Sequence, residues 1–353
     1  MKPTAKTLRL VFFGVLLGLV LAATTPLGEG EGARALFFGV INHFAEPAEP
    51  VELARAAYGD ARFMGVLENR SLREVSGLSA SRRSPDLFWA LNDGGDEPRL
   101  YALGADGRDR GSLLVEDSEN RDWEALAGFE IGAVPYLLIG DIGDNNARED
   151  AIHFYAVKEP PVPGERIETG STVVPAFQLV VRYPEGARDA EALAVDPVSG
   201  DALILTKGDD PPELHAFPLV PSIDPAATPL ELTTRKVGVV ATLPKPTQHD
   251  LENGGLIGLM RSMPTALRIS PDGKAAIVLT YRDAYEFVRA PFEDWASAFA
   301  RAPRRIPLPL MEQAEAAALD PRDGSLWVTS EGRPAPLYRV PRLAKEKSAP
   351  GAD

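Results

Sequence analysis

Five residues with oxygen-bearing side chains, Ser76, Glu124, Glu191, Thr265 and Glu315, stand at the head of five similar phrases along the chain. Each phrase runs into a short apolar stretch, a turn and a second apolar stretch. Each ends at a polar residue 16 or 17 positions further on: Asp93, Asp141, Lys207, Arg282 and Glu331. Brought to one point, the first set would crowd three carboxylates and two hydroxyls together. Either their pKa values rise or a cation sits between them. An all-oxygen set without His or Cys suits Ca²⁺, which takes about 6–8 oxygens at about 2.3–2.6 Å. The plainer alternative is a row of solvated polar residues at strand starts. The second set is mixed in charge. Lys207 and Arg282 suit the oxygens of a phosphate ester, and Asp93 or Asp141 could act as general base on water. Here the plainer alternative is salt bridges between neighbouring repeats.

The elements that must position these residues are legible as repeats. Arg121-Asp-Trp-Glu-Ala-Leu leads to Ile139-Gly-Asp141, Asp189-Ala-Glu-Ala-Leu to Leu205-Thr-Lys207, and Gln313-Ala-Glu-Ala-Ala to Thr329-Ser-Glu331. Glu74-Val-Ser-Gly-Leu leads to Leu91-Asn-Asp93, and Pro264-Thr-Ala-Leu to Thr280-Tyr-Arg282. Pro/Asp/Gly turns recur at one repeat position in Asp196–Gly200, Ser270–Gly273 and Asp320–Gly324. Five strand–turn–strand units, spaced about 50 to 75 residues apart, predict a repeat architecture. The first copy supplies four strands, Val75–Ala80, Leu87–Leu91, Leu100–Leu103 and Ser112–Val115. In the second, Ile152–Val157 and Val173–Tyr183 complete the set. The last copy shows only three, and Phe63–Leu67 is placed to supply its fourth. The expected fold is all-β, a five-bladed β-propeller over residues 61–343 closed by an N-terminal strand. A sixth blade hidden in 244–264 is the alternative. Otherwise residues 244–262 read as a long loop, and Phe292–Ala302 as a short surface helix.

Bulk composition narrows the function classes. Thirty-one Gly and 32 Pro with short strand-like runs favour a turn-rich β protein. A net charge of −14 leaves no basic footprint for a nucleic acid. The absence of cysteine excludes disulfides, thiolate metal sites and a lipoprotein anchor. The four His residues are too scattered for a zinc site. Lys2, Lys6 and Arg9 precede a 14-residue apolar run, Leu10–Ala23, so residues 1–23 read as an export signal or an N-terminal membrane tether. That places the rest in the periplasm or outside the cell. Residues 24–60 read as a linker and 344–353 as a disordered tail. Gly140-Asp-Ile-Gly-Asp-Asn-Asn lacks the spacing of an EF-hand loop and reads as a rigid turn before a second cation site. His249-Asp250 reads as loop polarity rather than a catalytic dyad.

The same phrases resemble a family of exported bacterial propellers described by domain as phytase-like or esterase-like. The resemblance covers about residues 65–340. The order Ser, Glu, Glu, hydroxyl, Glu also resembles the five-bladed calcium-activated nucleotidases, or apyrases. This likeness implies Ser76, Glu124, Glu191, Thr265 and Glu315 as Ca²⁺ ligands, with Thr265 standing in place of a second Ser. It carries substrate residues only as similar strand-end positions, Asp93, Asp141, Lys207 and Arg282. Two functions follow as expectations: a calcium-dependent hydrolase of a small phosphoester or phosphoanhydride, or a non-catalytic binding propeller with a structural Ca²⁺. A lactonase-type propeller ranks third, because its axial Asn and Asp ligands are missing from the inner set. The expected oligomeric state is a monomer.

Overall fold

The computed structural model describes residues 47–162, 166–219, 229–311 and 313–343. The leader 1–23, most of the linker 24–60 and the tail 344–353 lie outside them. Among the described residues no helix is long and apolar enough to cross a membrane.

Residues 50–245 and 260–343 form five antiparallel sheets, which are the five blades. Blade one is β2 (Val75–Ala80), β3 (Leu87–Asn92), β4 (Arg99–Gly104) and β5 (Asp109–Val115). Blade two is β6 (Trp123–Ile131), β7 (Val134–Asp141), β8 (Ile152–Lys158) and, after the short β9 (Thr172–Val173), β10 (Phe177–Arg182). Blade three is β11 (Ala190–Val195), β12 (Asp201–Thr206), β13 (Glu213–Pro218) and, after β14 (Leu230–Thr233), β15 (Arg235–Val239). Blade four is β16 (Pro264–Ile269), β17 (Ala275–Thr280), β18 (Ala284–Val288) and β19 (Arg304–Ile306), with a short helix Trp295–Phe299 before its last strand. Blade five is β20 (Ala314–Leu319), β21 (Leu326–Ser330) and β22 (Pro336–Val340). Its fourth strand is β1 (Arg62–Val66), antiparallel to β22, so the N-terminal strand closes the ring as the sequence predicts. No sixth sheet appears among the described residues.

Two strands depart from strict blade membership. β9 pairs parallel to β5 of blade one, and β14 pairs parallel to β10 of blade two. Each outermost edge thus gains a fifth strand from the following connection, which covers an otherwise unpaired edge.

The core is divided among the blade interfaces. One apolar cluster fills each of the five, and the fourth residue of each inner strand belongs to a different one: Leu78, Leu126, Leu193, Leu267 and Ala317. The third residues are Gly77, Ala125, Ala192, Ala266 and Ala316. Such small side chains let five inner strands converge on one axis. At Gly77 a Cβ would meet Leu91 at 2.8 Å and Leu126 at 2.9 Å.

Residues 246–259, with 47–49, form a separate compact unit. The stretch read as a loop contains a helix, α1 (Gln248–Leu259). Its start is fixed by a reciprocal cap. The backbone N–H and hydroxyl of Thr247 donate to Asp250 Oδ2 at 2.9 and 2.6 Å, and Asp250 N donates to Thr247 Oγ1 at 3.3 Å. Gly254 and Gly255 hide this helix from a propensity reading.

Candidate functional site at the channel mouth

All five inner strands break register at the same place. β2 steps from Val75↔Asn92 to Gly77↔Leu91, and β6 from Trp123↔Asp141 to Ala125↔Gly140. β11, β16 and β20 do so across Ala190/Ala192, Pro264/Ala266 and Ala314/Ala316. In each case one extra residue is accommodated, and it is Ser76, Glu124, Glu191, Thr265 or Glu315. A β-bulge re-aims the side chain of its extra residue and bends the strand. All five of these side chains are buried. The two hydroxyls reach the next blade: Ser76 Oγ donates to the carbonyl of Trp123 at 2.7 Å, and Thr265 Oγ1 to that of Ala314 at 2.8 Å.

The strand-end residues divide into three groups. The amides of Asp93, Lys207 and Glu331 donate to the carbonyls of Glu74, Asp189 and Gln313, so these three share one structural position. In blade two that position is Ile142, whose amide donates to Asp122 O, and in blade four it is Tyr281. Asp141 lies one residue earlier, paired with Trp123. It is fully buried and accepts from Arg121 Nε at 3.1 Å and Asp122 N at 2.9 Å. Arg282 lies one residue later and is half-buried; no hydrogen bond or ion pair joins it to the other four among the described residues.

What converges at the mouth is strongly acidic. Carboxylate oxygens of Asp93, Asp122 and Glu124 lie within 4.8 Å of one another. Asp93 and Asp122 lie close enough to act on each other's charge, as do Glu315 and Glu331. Gln313 Nε2 bridges the latter pair, at 3.1 Å to Glu315 and 2.6 Å to Glu331. Lys207 is ion-paired with Glu191, and its ammonium lies 5.6 Å from the Tyr281 ring centroid. Asp189 accepts from the amide of Asp144 at 3.0 Å, close enough to act on Asp93 and Asp122. The Asp144 carboxylate in turn accepts from the amides of Arg148 and Glu149 at 2.9 and 2.8 Å, which makes its loop a built turn.

Burial raises the pKa of Asp93, Asp122, Glu124, Glu315 and Glu331. For Asp122, burial and then the charge of Asp93 push it to about 7. For Glu315, burial and then Glu331 push it to about 9. Burial and the charges of Glu315, Glu124 and Glu331 keep the Tyr281 phenol protonated. The charge of Lys207 opposes the rise at Asp93, Glu124, Glu315 and Glu331.

Two glycines make room for the oxygens. A Cβ on Gly143 would lie 2.4 Å from Asp122 Oδ2 and 2.8 Å from Glu124 Oε1. A Cβ on Gly94 would lie 2.7 Å from Asp122 Oδ1. Asp122 is the member of this cluster that a reading of two rings misses. Its signal is the residue two before the bulge, polar in four of five copies: Glu74, Asp122, Asp189 and Gln313.

Comparison with protein-family models and with curated proteins gives no match. Among solved structures, the chain is similar to a luciferin-regenerating enzyme, with a TM-score of 0.38 and 9% identity over 81% of this chain and 95% of that one. It is also similar to Raptor of Chaetomium thermophilum, with a TM-score of 0.36 and 9% identity over 78% of this chain and 20% of that one. Likeness at this level carries nothing about chemistry.

Proposed function

We propose that the protein is a cation-binding propeller, exported from the cytoplasm, with Ca²⁺ held at the channel mouth. The observation that supports this reading is the bulge repeated in all five inner strands, which brings an oxygen from every blade toward one axis. The donor set fits a hard cation. It offers carboxylates, hydroxyls and no nitrogen ligand. Ser76 and Thr265 spend their O–H protons on carbonyls, so their lone pairs stay free for an ion. Glu124 with Asp93 and Asp122 forms the tightest group, and Glu191 and Glu315 complete the ring. Without a cation, bound protons and Lys207 hold these carboxylates apart in charge. An ion joining all five inner strands would staple the blades, as no disulfide can.

A hydrolase of small phosphoesters, the activity implied by the phytase-like and nucleotidase-like phrases, is the second reading. It has one observation behind it. Glu315, with its raised pKa, keeps a proton beside the same mouth and could hand it to a leaving oxygen. Against it, Lys207 is engaged by Glu191 and Arg282 stands outside the ring, so phosphate oxygens would have to be met by the cation.

Titration calorimetry with Ca²⁺, and thermal unfolding in EDTA and in excess Ca²⁺, test the first reading. One-site binding and a higher midpoint are expected, with stabilisation of about 2.7 kcal/mol at about 100 times Kd. Both are lost in Glu124→Gln with Glu191→Gln. No heat and no midpoint shift would end the calcium reading. Turnover of a phosphoester panel by the Ca²⁺-loaded protein, lost in Glu315→Gln at saturating Ca²⁺, would establish the second.

A further inference from the structure

Beneath the acidic mouth the channel is crossed by a single side chain. Arg268 is the fifth residue of β16, and the fifth residues of the other inner strands are Ser79, Ala127, Ala194 and Ala318. Four small side chains leave space for one guanidinium. Arg268 Nε donates to the carbonyl of Ala317 at 2.7 Å. Nη1 donates to Leu193 at 3.0 Å and to Leu267 at 2.6 Å, and Nη2 to Leu78 at 2.9 Å. The four acceptors are all fourth residues of inner strands, from blades five, three, four and one. The inner strand of a blade has no partner on its axial edge, so its carbonyls need donors there. Arg268 supplies them to four blades at once.

A guanidinium carries five N–H groups. Four are used here, and one on Nη2 has no partner among the described residues. Arg268 is buried, and no carboxylate is bonded to it among the described residues. Burial lowers its pKa to about 10, so it stays charged at neutral pH.

On the far side from the mouth, Arg268 and its four small neighbours line a cavity of about 460 Å³. That is within the range of small-molecule sites, about 300–1,000 Å³. Its walls are mixed: Ile269 and Leu319 are apolar, and Arg82, Glu130 and Asp196 are charged. The two acids on the wall are already answered. Glu130 meets Arg82 at 3.3 Å, and Asp196 meets Arg289 at 2.8 Å and Trp295 Nε1 at 2.9 Å. Ser79 follows Leu78, the residue whose carbonyl takes Arg268 Nη2. Its hydroxyl has no partner among the described residues. Gly128 keeps it open, since a Cβ there would lie 2.8 Å from Ser79 Oγ.

We propose that this cavity binds a small organic carboxylate, one oxygen on the free N–H of Arg268 and the other on the Ser79 hydroxyl. Two donors, beside acids that already have their own cations, suit a two-oxygen monoanion. A phosphate would leave oxygens without donors. The hydrocarbon part of the ligand lies against the alanine and isoleucine walls. This site is independent of the cation at the mouth.

Calorimetry of the full chain with benzoate, and with neutral benzamide of the same shape, tests the assignment. Benzoate saturates one site and raises the unfolding midpoint, and benzamide binds at least about tenfold more weakly because it lacks the charge-assisted bond. Ser79→Ala, which removes one of the two donors and leaves the four Arg268 bonds in place, weakens benzoate binding at least about tenfold while circular dichroism shows the fold intact. Failure of benzoate to saturate, equal binding of benzamide, or full binding by Ser79→Ala overturns the proposal. If Ser79→Ala does not fold, the contrast between the two ligands on the unaltered chain still decides.

Discussion

The Ser76 hydroxyl donates to the carbonyl of Trp123, the residue immediately before Glu124. Thr265 repeats this toward Ala314, immediately before Glu315. Each hydroxyl therefore ties its own bulge to the bulge of the next blade, with its proton directed along the ring. Ser76→Ala and Thr265→Ala are each expected to cost about 1 kcal/mol in EDTA, the net worth of one hydrogen bond. In Ca²⁺ the cost is larger, because a ligand goes as well. Urea unfolding in both buffers measures the difference. An equal cost in both would leave the hydroxyls as bolts alone.

Lys207 and a bound cation compete for the same carboxylates. Lys207 is mostly buried against Glu191, so Lys207→Met leaves that carboxylate uncompensated. The metal-free protein should lose roughly 3 kcal/mol, the scale for breaking a buried pair. Its Ca²⁺ affinity should rise, since a positive charge has left the mouth. Thermal unfolding with and without Ca²⁺ reads both: the midpoint in EDTA falls and the rise on adding Ca²⁺ grows. A smaller rise than in the unaltered protein would show that Lys207 helps rather than opposes the ion.

Much of this mouth is legible in sequence because the copies repeat residue type at fixed spacing. Ser76, Glu124, Glu191, Thr265 and Glu315 need only alignment to be found, and they occupy one structural position. The strand ends are less legible. The hairpins differ in length, with Gly77↔Leu91, Ala125↔Gly140 and Ala192↔Leu205 paired just after the bulge, so a constant count forward does not fix where the second strand meets the first. That is why Asp141 and Arg282, in line by spacing, stand one residue to either side of the position held by Asp93, Lys207 and Glu331. The strands β9 and β14, which join neighbouring blades, carry only 2 and 4 residues and no periodic signal. Arg268 was within reach. It is the only charged residue at the fifth position of an inner strand, in a run otherwise made of small and apolar residues.

The metal-free protein should grow less stable as pH rises. Asp122 moves from 3.8 to about 7 on folding, and Glu315 from 4.5 to about 9. Between these limits the folded state holds protons that the unfolded chain has released, so raising the pH favours unfolding. Their contribution is fully present below the unfolded values and is lost through about pH 7 for Asp122 and about pH 9 for Glu315. Ca²⁺ displaces the same protons, so its stabilisation grows across this window. Unfolding midpoints in EDTA across the window should fall while those in Ca²⁺ hold. Calorimetry in buffers of different ionisation enthalpy should show proton release on binding. Midpoints in EDTA that rise with pH would contradict the protonated cluster.

Gly143 offers a test that changes no charge. Its amide, like that of Ile142, donates to Asp122 O at 3.2 Å, which draws the loop against the acidic group. An added methyl would fall 2.4 Å from Asp122 Oδ2 and 2.8 Å from Glu124 Oε1, closer than real Cβ contacts come. Either carboxylate must turn away, or the loop must lift. Gly143→Ala should therefore weaken Ca²⁺ binding by about tenfold or more, the order of losing one charge-assisted contact. Stability in EDTA should change much less, since moving Asp122 away from Asp93 also relieves like-charge repulsion. Gly132→Ala, with its site open on all sides, controls for the loss of a glycine as such. Its positive φ of 61° makes some strain unavoidable, yet it should leave Ca²⁺ affinity untouched. If Gly143→Ala binds Ca²⁺ as tightly as the unaltered chain, Asp122 and Glu124 do not hold the ion together, and the site must be redrawn around Glu191 and Glu315.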